Sequence, residues 1–136
     1  MVSIHIDYLG RLRCEAQHEP SGTKLVTDAP KDNMGQGESF SPTDLVATAL
    51  GSCMLTLMGI VAQRHNLDIS GTTVKVDKEM VTSPERRIGK LTVDIHVPHA
   101  LSIDDQQRLK TAALTCPVHK SLHPEIQTPI TFRFEA

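Results

Sequence analysis

The chain has no tryptophan, and aromatic residues make up only 3% of its 136 positions. Stacking platforms for single-stranded nucleic acid are therefore not expected. It also lacks an excess of either charge: the formal net charge is −2 and the pI near 6.4. No basic field is available to draw it to nucleic acid or to an anionic membrane surface. Three cysteines are too few, and odd in number, for a secreted disulfide framework. The opening residues Met-Val-Ser-Ile-His-Ile-Asp alternate and show neither the basic nor the apolar block of a signal peptide. A reducing, cytoplasmic setting is the expectation. There is no internal repeat and no low-complexity tract, and the length suits one domain spanning residues 1–136.

What the chain does have is one long stretch without charge, from Leu45 to Gln63. By length this is a candidate membrane span. Thr48, Gly51, Ser52, Thr56 and Gly59 dilute its apolarity, so a buried central helix is the simpler reading, with no membrane involved. Its start is marked by Ser41 as cap, Pro42 at the first helical position and Asp44 in the first turn. Arg64-His65-Asn66 suits its end.

Around this helix the pattern alternates between periods of two and of 3.6. Ser3–Tyr8 and Leu12–His18 alternate apolar and polar residues, and Lys24–Thr27 makes a third strand before a Gly-containing loop over residues 30–38. Thr72–Val81 and Ile88–Val97 form a hairpin across Ser83-Pro84-Glu85-Arg86-Arg87. Ser102 caps a second helix carrying Leu109, Ala112, Ala113 and Cys116, which Pro117 disturbs. Thr128–Phe134 closes the chain. The order β-β-β-α-β-β-α-β predicts an α+β domain with a mostly antiparallel sheet wrapped around the central helix. A helix apolar on all sides needs cover from two directions and one small sheet supplies one, so a homodimer is expected.

The three cysteines sit in unlike settings. Cys14 lies between Leu12 and Ala16 on one strand face and reads as a small core residue. Cys53 shares a helix face with Leu50, Met54 and Leu57, where desolvation would quiet a thiol. Cys116 reads locally as the better thiolate: it caps a turn begun by Pro117, beside His119 and Lys120. Cys116, His119 and His123 are candidate metal ligands by residue type, at spacing i, i+3, i+7. On a continuous helix the outer two lie about 10 Å apart along the axis, too far for one tetrahedral zinc, so no metal is expected.

The segment Ser41-Pro42-Thr43-Asp44-Leu45-Val46-Ala47-Thr48-Ala49-Leu50-Gly51-Ser52-Cys53 resembles the signature helix of the OsmC/Ohr family, the osmotically inducible and organic hydroperoxide resistance proteins. Cys116-Pro117-Val118 and the element order extend the likeness across the chain, closest to the OsmC-like subgroup. The resemblance implies an intertwined homodimer with paired cysteines at the subunit interface. It further implies a thiol peroxidase for organic hydroperoxides, needing no bound cofactor. By the same resemblance Cys53 is the peroxidatic residue, Cys116 resolves it as a disulfide, and an external dithiol restores both. The family activates its first cysteine with an arginine and a glutamate. Arg13 is the arginine best placed to match, with Arg11 behind it. Thr43 stands ten residues before Cys53, where the Ohr pattern has glutamate, and the neighbouring Asp44 is the substitute carboxylate. Two other functions stay open: a non-enzymatic module that binds a lipid-like or aromatic ligand in an apolar interface pocket, and a redox sensor.

Overall fold

The computed structural model describes all residues, Met1–Ala136. Its elements run β1 (Ile4–Gly10), β2 (Arg13–His18), β3 (Lys24–Asp28), a single 3-10 turn (Lys31–Asn33), α1 (Pro42–Arg64), β4 (Thr73–Val81), β5 (Arg87–Val97), α2 (Ile103–Leu114), α3 (Pro117–Ser121) and β6 (Ile130–Phe134). The α+β order is the expected one with two corrections. Pro117 does more than disturb the second helix: it ends α2 and starts the short α3. The strands form two three-stranded sheets, β1-β2-β3 and β4-β5-β6, rather than one. The chain correspondingly divides into two compact units, Met1–Val46 and Ala47–Ala136.

In the first unit β2 pairs antiparallel with both neighbours, Tyr8 and Thr27 lying opposite Cys14 on either side. The β1–β2 connection needs three consecutive positive φ angles, at Gly10, Arg11 and Leu12 (86°, 56° and 62°). Only glycine takes this region without steric cost, so the two following residues are held there by the hairpin, with the Leu12 N–H donating to the Tyr8 hydroxyl at 3.3 Å. Cys14 is half-buried, not a core residue as its neighbours implied. Every residue from Ile4 to Leu9 is exposed, so the alternation of β1 has no core to serve within the chain.

Helix α1 starts as the sequence predicts. The Asp44 N–H donates to Ser41 Oγ at 3.1 Å, and the Ser41 N–H donates back to Asp44 Oδ2 at 2.9 Å, a reciprocal capping box. It ends in a Schellman motif: Asn66 is left-handed (φ 55°), and Leu67 N–H reaches the Ala62 carbonyl at 2.8 Å. By length and composition alone α1 satisfies the requirements of a membrane span, as do the core helices of many soluble proteins. Here it buries one stripe, Ala47, Leu50, Gly51, Met54, Met58 and Ala62. Gly51 sets the approach to the sheet: a Cβ there would lie 3.0 Å from Val76 and 3.3 Å from Val74, both on β4. The helix is thus not covered all round within the chain, and Ile60 on its other side remains 42% exposed.

The second unit carries the dense core. Leu91, Val93, Ile95 and Val97 on β5 are fully buried, together with Leu50, Met54 and Met58 of α1 and Leu109 and Ala113 of α2. Strand β5 pairs antiparallel with β4 and parallel with β6, so it is the central strand, buried on the face its alternation prescribes. The closing strand is shorter than predicted because Pro129 cannot donate to a ladder; its carbonyl instead accepts from Val93 N–H at 2.9 Å.

Candidate functional site

The second unit brings Cys53 and Cys116 together. Cys53 lies mid-way along α1, half-buried; Cys116 lies between α2 and α3, fully buried. All three cysteines are in the free thiol state. The two thiols are near enough that Cys53 is one of the influences raising the Cys116 pKa. Positions 63 residues apart in sequence meet because α1 and α2 both pack on the β4-β5-β6 sheet, with the break at Pro117 aiming Cys116 inward.

The local surroundings of Cys116 follow the sequence argument, but their balance does not. It is the N-cap of α3, with Pro117 next and the His119 N–H donating to its Sγ at 3.4 Å. That hydrogen bond favours thiolate, as does one from Val118. Burial outweighs them and, with the adjacent Cys53, pushes the Cys116 thiol above its usual value. Sequence reasoning made Cys116 the better thiolate because caps and cations are visible in a sequence, whereas the depth of a side chain is not.

The other singled-out residues fall in the first unit. Arg13 on β2 makes a close ion pair with Glu38 and a second, at 3.5 Å, with Asp28. The hydrogen bond to Glu38 chiefly, with attraction from Asp28, raises the guanidinium further above its usual value. Asp28 and Glu38 were not singled out from the sequence; an acidic residue ending a strand before a glycine-containing loop is the only signal they give. Arg11 is exposed in the β1–β2 turn. Asp44 serves the capping box of α1. No cluster of three His, Cys, Asp or Glu side chains is arranged to hold a metal ion. His119 Nε2 pairs with Thr128 Oγ1 at 2.8 Å, and His123 Nδ1 accepts from the Glu125 N–H.

A groove of about 710 Å³ opens between α1 and α2. Leu57, Ile60, Val61 and Ala112 give it an apolar floor, and Arg64 and Arg108 stand at its rim. Leu57 is one helical turn beyond Cys53, and Thr115, also in the lining, precedes Cys116.

The fold has counterparts among known proteins. The family model described as OsmC-like protein matches residues 35–131. The chain belongs to the OsmC-like family. A crystal structure from Psychrobacter arcticus 273-4, of a protein assigned to osmotic stress induction and the detoxification response, is 45% identical, with 97% of this chain and 96% of that one covered and a TM-score of 0.91. An organic hydroperoxide resistance protein OsmC from Legionella pneumophila shares the fold at 14% identity, with coverage of 98% and 96% and a TM-score of 0.78. An OsmC-like protein from Mycoplasma pneumoniae does so at 13% identity, with coverage of 100% and 98% and a TM-score of 0.83. At those identities the likeness speaks for the fold alone. No curated protein matches the chain.

Proposed function

We propose that this OsmC-like protein is a thiol-dependent peroxidase that reduces organic hydroperoxides. The observation that carries the reading is the proximity of the half-buried Cys53 to the buried Cys116, whose pKa it helps to raise. In the proposed cycle the Cys53 thiolate attacks the terminal peroxide oxygen. An S–O bond forms, the O–O bond breaks, and the departing alkoxide takes a proton to become the alcohol. Cys116 then attacks the sulfenic sulfur; the S–S bond forms as hydroxide leaves and is protonated to water. A raised thiol pKa suits the second role, since Cys116 stays protonated until the sulfenic acid appears beside it. An external dithiol reduces the disulfide, in keeping with a reducing cytoplasm, and no bound cofactor takes part. The apolar groove beside the pair favours alkyl over small polar peroxides.

The active form in this reading is a homodimer. Ile4, Ile6 and Tyr8 on β1 are each more than 60% exposed, and one side of α1 is open. A second copy is the economical cover for both.

The test is turnover of cumene hydroperoxide by the reduced protein with dithiothreitol. Cys53→Ser is expected to abolish it, and Cys116→Ser to leave a first turnover followed by overoxidation of Cys53. Full activity in the Cys53 variant would remove the assigned roles. A second reading, a non-enzymatic module for a lipid-like or aromatic molecule, draws on the groove and on Thr43 standing where a glutamate is expected. Ligand-induced stabilisation that survives replacement of both cysteines would favour it.

A further inference from the structure

Cys116 has two roles in the structure. It is the thiol beside Cys53, and its sulfur is the side-chain cap of α3. A helix begins with backbone N–H groups that find no partner inside it. In α3 the first position is Pro117, which has no N–H to offer. The next two residues both turn to the sulfur. The His119 N–H donates to Sγ at 3.4 Å, and the Val118 N–H hydrogen-bonds the same thiol. The Lys120 N–H is taken by the Cys116 carbonyl at 3.1 Å. The whole start of α3 therefore rests on one residue.

The helix has little else to hold it. It spans five residues, Pro117–Ser121, none of them buried, and is too short to stand on helix propensity alone. His119 Nε2, 2.8 Å from Thr128 Oγ1, ties it to the approach to β6. Beyond α3 the chain is pinned again. The Gln127 N–H donates to the Gly89 carbonyl at 3.0 Å, and the Gln127 carbonyl accepts from the Leu91 N–H at 2.8 Å. The segment from Pro117 to Ile126 is thus anchored to β5 at its far end and to the Cys116 sulfur at its near end.

We infer that oxidation of the Cys53–Cys116 pair removes the cap of α3, making α3 a redox-sensitive switch that is ordered when the thiols are free and loosened when they are joined. The inference rests on the disulfide of the peroxidase reading. There the hydroperoxide is the oxidant: the Cys116 sulfur bonds to the Cys53 sulfur, and the departing hydroxide takes the Cys116 proton to become water. A free thiol turns about its Cα–Cβ bond to meet the N–H donors, and as a thiolate it accepts more strongly. A disulfide sulfur is fixed by a second covalent bond and carries no negative charge. Reduction by the external dithiol restores the cap. The order of α3 carries the state of the pair to the surface, since Lys120 and Ser121 are exposed whereas Cys116 is not.

The test is amide hydrogen exchange by NMR in a Cys14→Ser chain, reduced and after treatment with diamide. Diamide takes two electrons and two protons from the thiols and becomes a hydrazine; peptide mapping verifies the Cys53–Cys116 bond. Exchange at Val118 and His119 is expected to quicken roughly fivefold, the worth of a side-chain cap, while Gln127 and β6 stay protected. Cys53→Ser, given the same diamide, should exchange as the reduced chain does. Without oxidant, Cys116→Ala should match the oxidised chain at His119, and Cys116→Ser, whose hydroxyl caps well, should match the reduced one. A verified disulfide with His119 exchange unchanged overturns the switch and leaves the peroxidase reading standing. Equal protection in Cys116→Ala and the reduced chain also overturns it, because the sulfur is then not what orders α3. If neither diamide nor cumene hydroperoxide joins the two cysteines, the peroxidase reading falls and the switch with it.

Discussion

The two sheets of this protein are written in the same pattern and live in different surroundings. β1 alternates Ile4, Ile6 and Tyr8 with polar residues, and all three are more than 60% exposed; β5 alternates Leu91, Val93, Ile95 and Val97 with polar residues, and all four are fully buried. Alternation therefore specifies a face to be covered, while the cover itself is supplied elsewhere. For β5 it comes from α1 and α2 of the same chain. For β1 the proposed cover is a second copy. The division also runs through the chemistry: the Cys53–Cys116 pair lies in the densely packed unit, and Arg13 with Asp28 and Glu38 in the open one.

The largest expected effect breaks this contrast directly. Ile95→Ala should cost about 2–5 kcal/mol in chemical denaturation, as large-to-small changes in a packed core do. Ile6→Ala should cost well under about 1 kcal/mol if β1 stays open. Under the dimer proposal it instead weakens self-association, read as a rise in the monomer fraction by analytical ultracentrifugation at low concentration. If neither stability nor association responds to Ile6→Ala, the covered-face argument for β1 is lost.

Gly51→Val sharpens what holds the packed unit together. The added atoms meet Val74 and Val76, so a loss of about 1–3 kcal/mol is expected from overpacking. Gly59→Ala is the control, since a Cβ there meets nothing within 4 Å. Ser41→Ala removes the cap of α1 and should cost about 1 kcal/mol, lowering the melting temperature measured by circular dichroism.

The smallest effect concerns pH. Because folding raises the Cys116 pKa, the folded state binds the thiol proton more tightly than the unfolded chain does. This contribution is complete below the unfolded-state value, near 9.0, and is lost as pH rises through the higher folded value. Denaturation midpoints should thus fall more steeply above pH 9 in the parent than in Cys116→Ala. Parallel slopes would show that the thiol is not held protonated by the fold.

Much of the local structure was legible in the residues themselves. Ser41, Pro42 and Asp44 announce the start of α1, and Asn66 its end, because caps are satisfied by groups within a few positions. The alternation in β4 and β5 located the hairpin, and the break at Pro117 followed from a ring that cannot continue a helix. The likeness of residues 41–53 and 116–118 to one family indicated the thiol pair. Three matters were not legible. The strand pattern around Cys14 points to a core that its own chain does not build, the apolar run of α1 does not tell which side is left open, and the neighbours of Cys116 in sequence do not tell its depth.

The sequence by itself determined the element types, the capped apolar helix and the candidate cysteines, since propensity, capping and periodicity act over a few residues. Only the tertiary structure decided that there are two sheets, that burial overrides the cap at Cys116, and that Arg13 is held by Asp28 and Glu38. Desolvation and ion pairing depend on which groups meet across long stretches of chain, and no local pattern encodes those distances.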